Sequence, residues 1–208
     1  KGANTMNAAA LVAAIAPGGA KEDPIAAIKS YKFGDSTTPL KGVEGQVTGS
    51  LGNPEARKAI AAALAGILAT DATRDAKIFA CRQLAMCGGA ENVPALAALH
   101  TAISTSDMAR IALERIPGAE ADAALIDALG NADDKSKIGI VNSLGVRKAA
   151  SAGPPIAPLL KSKDPVLAEA AAAALGHIGG ADAVKVLKGR MNKSARATAA
   201  SVLKEQKK

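Results

Sequence analysis

Aromatic side chains are nearly missing from this chain. Its 208 residues include no Trp, and Tyr31, Phe33 and Phe79 all lie before residue 80. Large rings normally supply much of the area that a globular core buries. A core without them must be built from the Ala, Leu, Ile and Val that dominate the composition. Alanine is the best helix former, and its small side chain lets helix backbones approach closely. The missing rings also remove, from everything after residue 80, the platforms on which proteins stack extruded or single-stranded bases.

Residues that carry chemistry are equally sparse. The two histidines, His100 and His177, stand far apart and form neither a HExxH motif nor an i, i+4 ligand pair. The two cysteines, Cys81 and Cys87, make no CxxC pair. On one helix, six residues rise about 9 Å. That exceeds the roughly 7 Å Cα separation a disulfide tolerates, so they read as small buried apolar residues. There is no GxxxxGK[ST] loop, no GxSxG elbow and no CxxCH. Gly42-x-x-Gly45 follows no strand, so it is no dinucleotide fingerprint. Asp133-Asp134 sits at a turn, where N-capping accounts for it. No catalytic set, metal site or cofactor is expected, and the chain does not read as an enzyme. Long apolar runs are missing too. The most apolar stretch, 60–69, follows Arg57 and Lys58 and is too short to span a membrane. The chain begins Lys-Gly without an initiator Met, as a processed or excised segment would. The Ala-rich stretch Met6–Ala16 is followed by Pro17-Gly18-Gly19, and residues 1–20 read as a loose N-terminal arm.

What the sequence does have is a repeat. Leu84, Leu113, Leu144 and Leu175 are spaced by 29, 31 and 31 residues, and another 28 reach Leu203. Aligned on them, the position four before holds Ala80, Ala109, Ile140, Ala171 and Ala199. The position one before holds Gln83, Ala112, Ser143, Ala174 and Val202. Twelve after stand Leu96, Leu125, Ile156 and Leu187, and sixteen after stand His100, Leu129, Leu160 and Met191. Offsets −4, −1 and 0 share one helical face, as do +12 and +16. Gly88-Gly89, Pro117-Gly118 and Gly179-Gly180 break the chain between the two groups, where glycine ends a helix. The third copy has Lys148-Ala149 instead. Pro94, Pro155 and Pro165 sit near helix starts, and Asp71 and Asp164 are candidate N-caps.

Each copy is therefore two antiparallel helices. The predicted helices are 54–69, 72–87, 91–103, 106–116, 119–130, 134–145, 152–162, 164–177, 181–191 and 194–206. A less regular pair, 24–31 and 38–49, precedes them. Such pairs bury their apolar faces only by stacking. The fold expected is all-α, an α-solenoid of armadillo-like type with about five to six helix pairs in a right-handed stack, forming one domain over 21–208. His100 then reads as a half-buried helix-end residue and His177 as a surface residue.

Charge is unevenly spread. Residues 1–131 hold 12 basic and 13 acidic groups, whereas 132–208 hold 14 basic and 6 acidic, so the net +7 comes from the last two and a half copies. Most such clusters are solvated faces, and the alternative is a docking surface for an anionic partner.

The segment Asp164-Pro-Val-Leu-Ala-Glu-Ala-Ala-Ala-Ala-Ala-Leu-Gly-His-Ile-Gly-Gly-Ala-Asp-Ala-Val resembles a HEAT-like repeat of the phycobilisome-lyase type, and the resemblance extends over about 54–208. It implies a basic residue seven before each leucine, met at Lys77, Lys137 and Arg196 and replaced at Ser106 and Ala168. It also implies that the helices ending in Leu-Gly line the concave face, and that such repeats form arms of larger exported bacterial proteins, periplasmic or extracellular. On that basis the candidate binding residues are Arg74, Lys77, Arg110, Lys137, Lys193 and Arg196. The competing reading is that this basic column caps or bridges neighbouring copies, pairing with the Asp or Asn six residues earlier, as Asp71 with Lys77 and Asn131 with Lys137. The leading functional expectation is a noncatalytic, monomeric protein-binding or scaffolding module. The alternatives are binding to a nucleic-acid phosphate backbone and an enzyme of the HEAT-like lyase or DNA glycosylase type.

Overall fold

The computed structural model describes residues 23–99, 105–189 and 191–205. The expected N-terminal arm and His100 lie outside them. All regular structure among the described residues is helical. The helices cluster into two compact units, one ending at Ile116 and one beginning at Pro117.

In the first unit, α1 (Pro24–Ala27) runs into a 3-10 turn and is followed by α2 (Thr38–Gly49). Then come α3 (Pro54–Leu68), α4 (Arg74–Cys87), α5 (Val93–Ala97) and α6 (Ser106–Arg115). The second unit holds α7 (Ala119–Asn131), α8 (Asp134–Val146), α9 (Gly153–Ile156), α10 (Pro165–Ile178), α11 (Gly180–Leu187) and α12 (Lys193–Glu205). Within the first unit α3 packs on α4 and α4 on α6. Within the second, α7 packs on α8, α8 on α10 and α10 on α12. Both units are thus stacks of antiparallel helix pairs, the all-α solenoid type of architecture.

The leucine column is the core. Leu84 and Leu113 in the first unit and Leu144 and Leu175 in the second are all 0% exposed. Their companions four residues earlier are buried as well, Ala80, Ala109, Ile140, Ala171 and Ala199. The companion helices contribute Leu96, Leu125, Ile156 and Leu187.

Several boundaries differ from the sequence expectation. The cap of α4 is Thr73, not Asp71, and its Oγ1 accepts from the Ala76 amide at 3.2 Å. Tertiary contacts fix this start: the Thr73 amide donates to Lys29 O at 3.0 Å and its hydroxyl donates to Tyr31 O. Asp71 is left exposed. Of the predicted helix 91–103 the described part, to residue 99, is a 3-10 turn at Ala90–Asn92 followed by the short α5, and residues 100–103 lie outside the described residues. The predicted helix 152–162 is one α turn between two 3-10 segments. Pro154, Pro155 and Pro158 lack the N–H groups that an unbroken α ladder needs. Elsewhere the capping logic holds. Asp164 caps α10 by accepting from the Val166 amide at 2.9 Å. Asp133 caps α8 by accepting from the Ser136 amide at 2.8 Å, and that bond holds its carboxyl below the usual range. A lowered folded pKa means the cap's contribution is complete above the ordinary carboxylate pKa and is lost as pH falls through the lowered value.

The turn without glycine uses a lysine. Lys148 has φ +53°, the left-handed conformation that glycine usually supplies. The Ala149 amide donates to Leu144 O at 3.1 Å and the Lys148 amide to Gly145 O at 3.0 Å, closing the end of α8.

The glycine after each of the last two core leucines has a packing reason. A Cβ on Gly145 would lie 2.8 Å from Ala174 Cα, and one on Gly176 would lie 2.6 Å from Val202 Cβ. In the second unit, successive second helices touch where +1 of one copy meets −1 of the next. Gly145→Ala gains about 1 kcal/mol of helix propensity, but overpacking against backbone costs about 1–3 kcal/mol. A net loss in urea unfolding is expected, with α8 and α10 pushed apart.

Candidate interaction surface

The candidate basic residues divide between the units and differ in how free they are. In the first unit, Arg74 opens α4 with its side chain 63% exposed and 3.7 Å from Asp75. Lys77 lies half-buried one turn later. Arg110 is largely enclosed, its side chain 18% exposed and held between Asp107 at 3.5 Å and Glu114 at 3.8 Å on its own helix. In the second unit, Lys137 is 3.3 Å from Asp134, one turn back on α8. The asparagine six residues before it, Asn131, instead donates to Asp127 O at 3.3 Å. Lys193 and Arg196, on the first turn of α12, are exposed.

Other polar residues tie the stack together. Arg147 stands at the end of α8 with its side chain 9% exposed. Its Nε is 2.5 Å from Asp122 Oδ1, and an Nη donates to Gly118 O at 2.8 Å, clasping the first turn of α7. Arg57 on α3 donates to Met86 O and Cys87 O, satisfying the end of α4. Asn192 joins α12 to the preceding pair: its amide donates to Leu160 O at 3.0 Å and its Nδ2 to Ser162 O at 2.9 Å. Its Oδ1 caps the helix by accepting from Ala195 N at 3.0 Å. None of these three was singled out from the sequence. The one visible hint was a repeat boundary lacking glycine, where Arg147 precedes the left-handed Lys148.

Both cysteines lie on α4, unpaired and buried. Burial pushes Cys81 up to about 12. Burial also pushes Cys87 up, to about 11, against the lowering effect of the Arg57 guanidinium. Thiolates are the reactive form, so both thiols should resist an aromatic disulfide reagent at pH 8 in the native protein and react at once in denaturant. Prompt native reaction of either would contradict its burial. His177 is exposed. Among the described residues no group of three or more His, Cys, Asp or Glu is arranged to hold a metal ion. No helix among them is long and apolar enough to cross a membrane.

Stacked helix pairs with a leucine–alanine core and short glycine- or proline-marked turns define an all-α repeat protein. The family described as HEAT repeats matches residues 122–204, a stretch inside the second unit. The match supports a HEAT-like repeat protein, and the same leucine columns recur at Leu84 and Leu113 in the first unit. HEAT repeats as a class mediate protein interactions and scaffolding. No curated protein matches the sequence.

Proposed function

We propose that this chain is a noncatalytic protein-binding or scaffolding module. One observation carries the reading. The repeat core is satisfied by the chain's own Leu and Ala columns, while the charged outer sides of the helices, with Lys193 and Arg196 among them, face solvent. Extended surfaces of this kind suit a macromolecular partner better than a small substrate. The module would belong to a larger exported bacterial protein, as the resemblance to phycobilisome-lyase-type repeats implies. Affinity capture from native extract at low and moderate salt, followed by crosslink mapping, tests the reading. A saturable protein partner crosslinked to the helices is expected. Recovery of nucleic acid alone, abolished by nuclease, would overturn it.

A second reading, binding to a nucleic-acid phosphate backbone, draws on the excess of 14 basic over 6 acidic residues in 132–208. It requires log K to fall with log salt by about 0.9 per phosphate neutralised.

A further inference from the structure

The second unit carries a groove of about 420 Å³ beside its proline-rich segment. Pro154, Ala157, Pro158, Leu160 and Lys161 form one side, and Val186 of α11 forms the other. The groove lies between two consecutive copies, inside the repeat array rather than on an end face. Its cause is local. Pro154, Pro155 and Pro158 hold this stretch to one α turn and a 3-10 run, Ala157–Lys161. A 3-10 helix is tighter than an α-helix and eclipses i with i+3, so it fills less space beside α11. At one end the two copies are tied, since the Asn192 amide and Nδ2 donate to Leu160 O and Ser162 O. Away from that tie the groove opens between the prolines and Val186.

Floor and rim differ in chemistry. Leu160 is buried, and Ala157 and Val186 are half-buried, which makes the floor apolar. Pro154 and Pro158 are exposed walls without an N–H to donate. Lys161 stands exposed on the rim. The other charged residues of 150–163 and 180–188 are Lys163, Lys185, Lys188 and Asp182, all exposed. Four positive charges against one negative give this surface its sign. The next carboxylate along the chain, Asp164, is engaged as the cap of α10.

We infer that this groove docks an extended acidic segment of a protein partner. One branched apolar side chain of that segment rests on Ala157, Leu160 and Val186 between the proline rings, and flanking carboxylates meet Lys161 and Lys185. This rests on the protein-binding reading and names the partner's chemistry. Only Val186 lines the groove from α11, so it offers one anchoring position. A bound helix uses a row of anchors at i, i+4 and i+7, whereas an extended segment can lower single side chains. Nucleic acid offers phosphates to the lysines but nothing to cover the apolar floor, and no aromatic side chain follows residue 80 to stack its bases. Charge complementarity steers the encounter, so association should slow with added salt.

The test uses the full chain and a fluorescent peptide of about ten residues, too short to hold a helix in water. The peptide carries a central leucine flanked by aspartates and glutamates. The comparators are a lysine-flanked version, an acidic version with serine for the leucine, and a single-stranded RNA of similar length. Anisotropy should show saturable binding of the acidic leucine peptide, little of the other two peptides, and displacement by unlabelled peptide but not by RNA. Lys161→Glu with Lys185→Glu, both exposed, should weaken binding roughly tenfold or more. Lys135→Glu with Lys148→Glu alters charge equally elsewhere on the unit and should leave affinity within about twofold. The inference is overturned if the acidic peptide does not bind, if the serine peptide binds equally well, if both double variants weaken binding equally, or if RNA displaces the peptide. Self-association in sedimentation that Lys161→Glu with Lys185→Glu abolishes would place a second copy in the groove and also overturn it. If the peptide fails while a captured protein still crosslinks to the helices, the groove assignment falls and the protein-binding reading stands. If neither is seen, both fall.

Discussion

Leu144→Ala is expected to lower unfolding stability by about 2–5 kcal/mol, the range seen when a fully packed leucine is emptied. The side chain is 0% exposed and lies on α8, which packs on both α7 and α10. The loss therefore falls where three helices meet and where little relaxation is available. Leu203→Ala provides the internal comparison. That leucine is only half-buried, so the same truncation removes less area from the protein and leaves less of a cavity. Urea unfolding followed by circular dichroism should show a clearly lower midpoint for Leu144→Ala, at unchanged slope, than for Leu203→Ala. Equal effects at the two sites would mean that the column does not set the core.

Arg147→Ala is expected to cost about 1–3 kcal/mol, although it touches no apolar contact in the leucine column. The change leaves the Asp122 carboxylate, 21% exposed, without the guanidinium 2.5 Å away, and it frees Gly118 O from its donor. Removing one partner of an enclosed ion pair is costlier than removing both. The double variant Arg147→Ala with Asp122→Ala should therefore lose less than the sum of the two single changes. Arg147→Lys should restore only part of the stability, because an ammonium cannot serve both acceptors with a planar fork. Additive single effects would show that the two side chains do not act as a pair.

The leucine column was legible because a helix repeats its face every few residues, so Leu84 through Leu175 align without reference to partners. The breaks at Gly88, Gly118 and Gly179 were legible for the same local reason. Arg147 was not, because its acceptors lie 25 and 29 residues earlier and no local pattern marks them. The role of Gly145 was hidden likewise. Its signal is a backbone approach to Ala174, and in the sequence it is merely the residue after a leucine. The short α5 and the broken 150–161 segment were readable in principle from their prolines, but the apolar +12 and +16 columns favoured longer helices. Of the six candidate basic residues, Arg110 and Lys137 already have acidic neighbours on their own helices, at i−3 and i+4 for the first and i−3 for the second. The sequence suggested acceptors six residues back. The structure places them about one helical turn away, where side chains actually meet.

In the second unit the leucine-bearing helices α8, α10 and α12 stack directly on one another through small residues at Gly145 and Gly176. Nuclear Overhauser contacts in isotopically labelled protein test it most directly. Strong cross-peaks between the Gly145 α-protons and the Ala174 methyl group, within a spectrum of helical chemical shifts, are predicted from their close approach. Absence of those cross-peaks in a spectrum otherwise assigned through α8 and α10, or strand-like shifts over 134–146, would contradict the account.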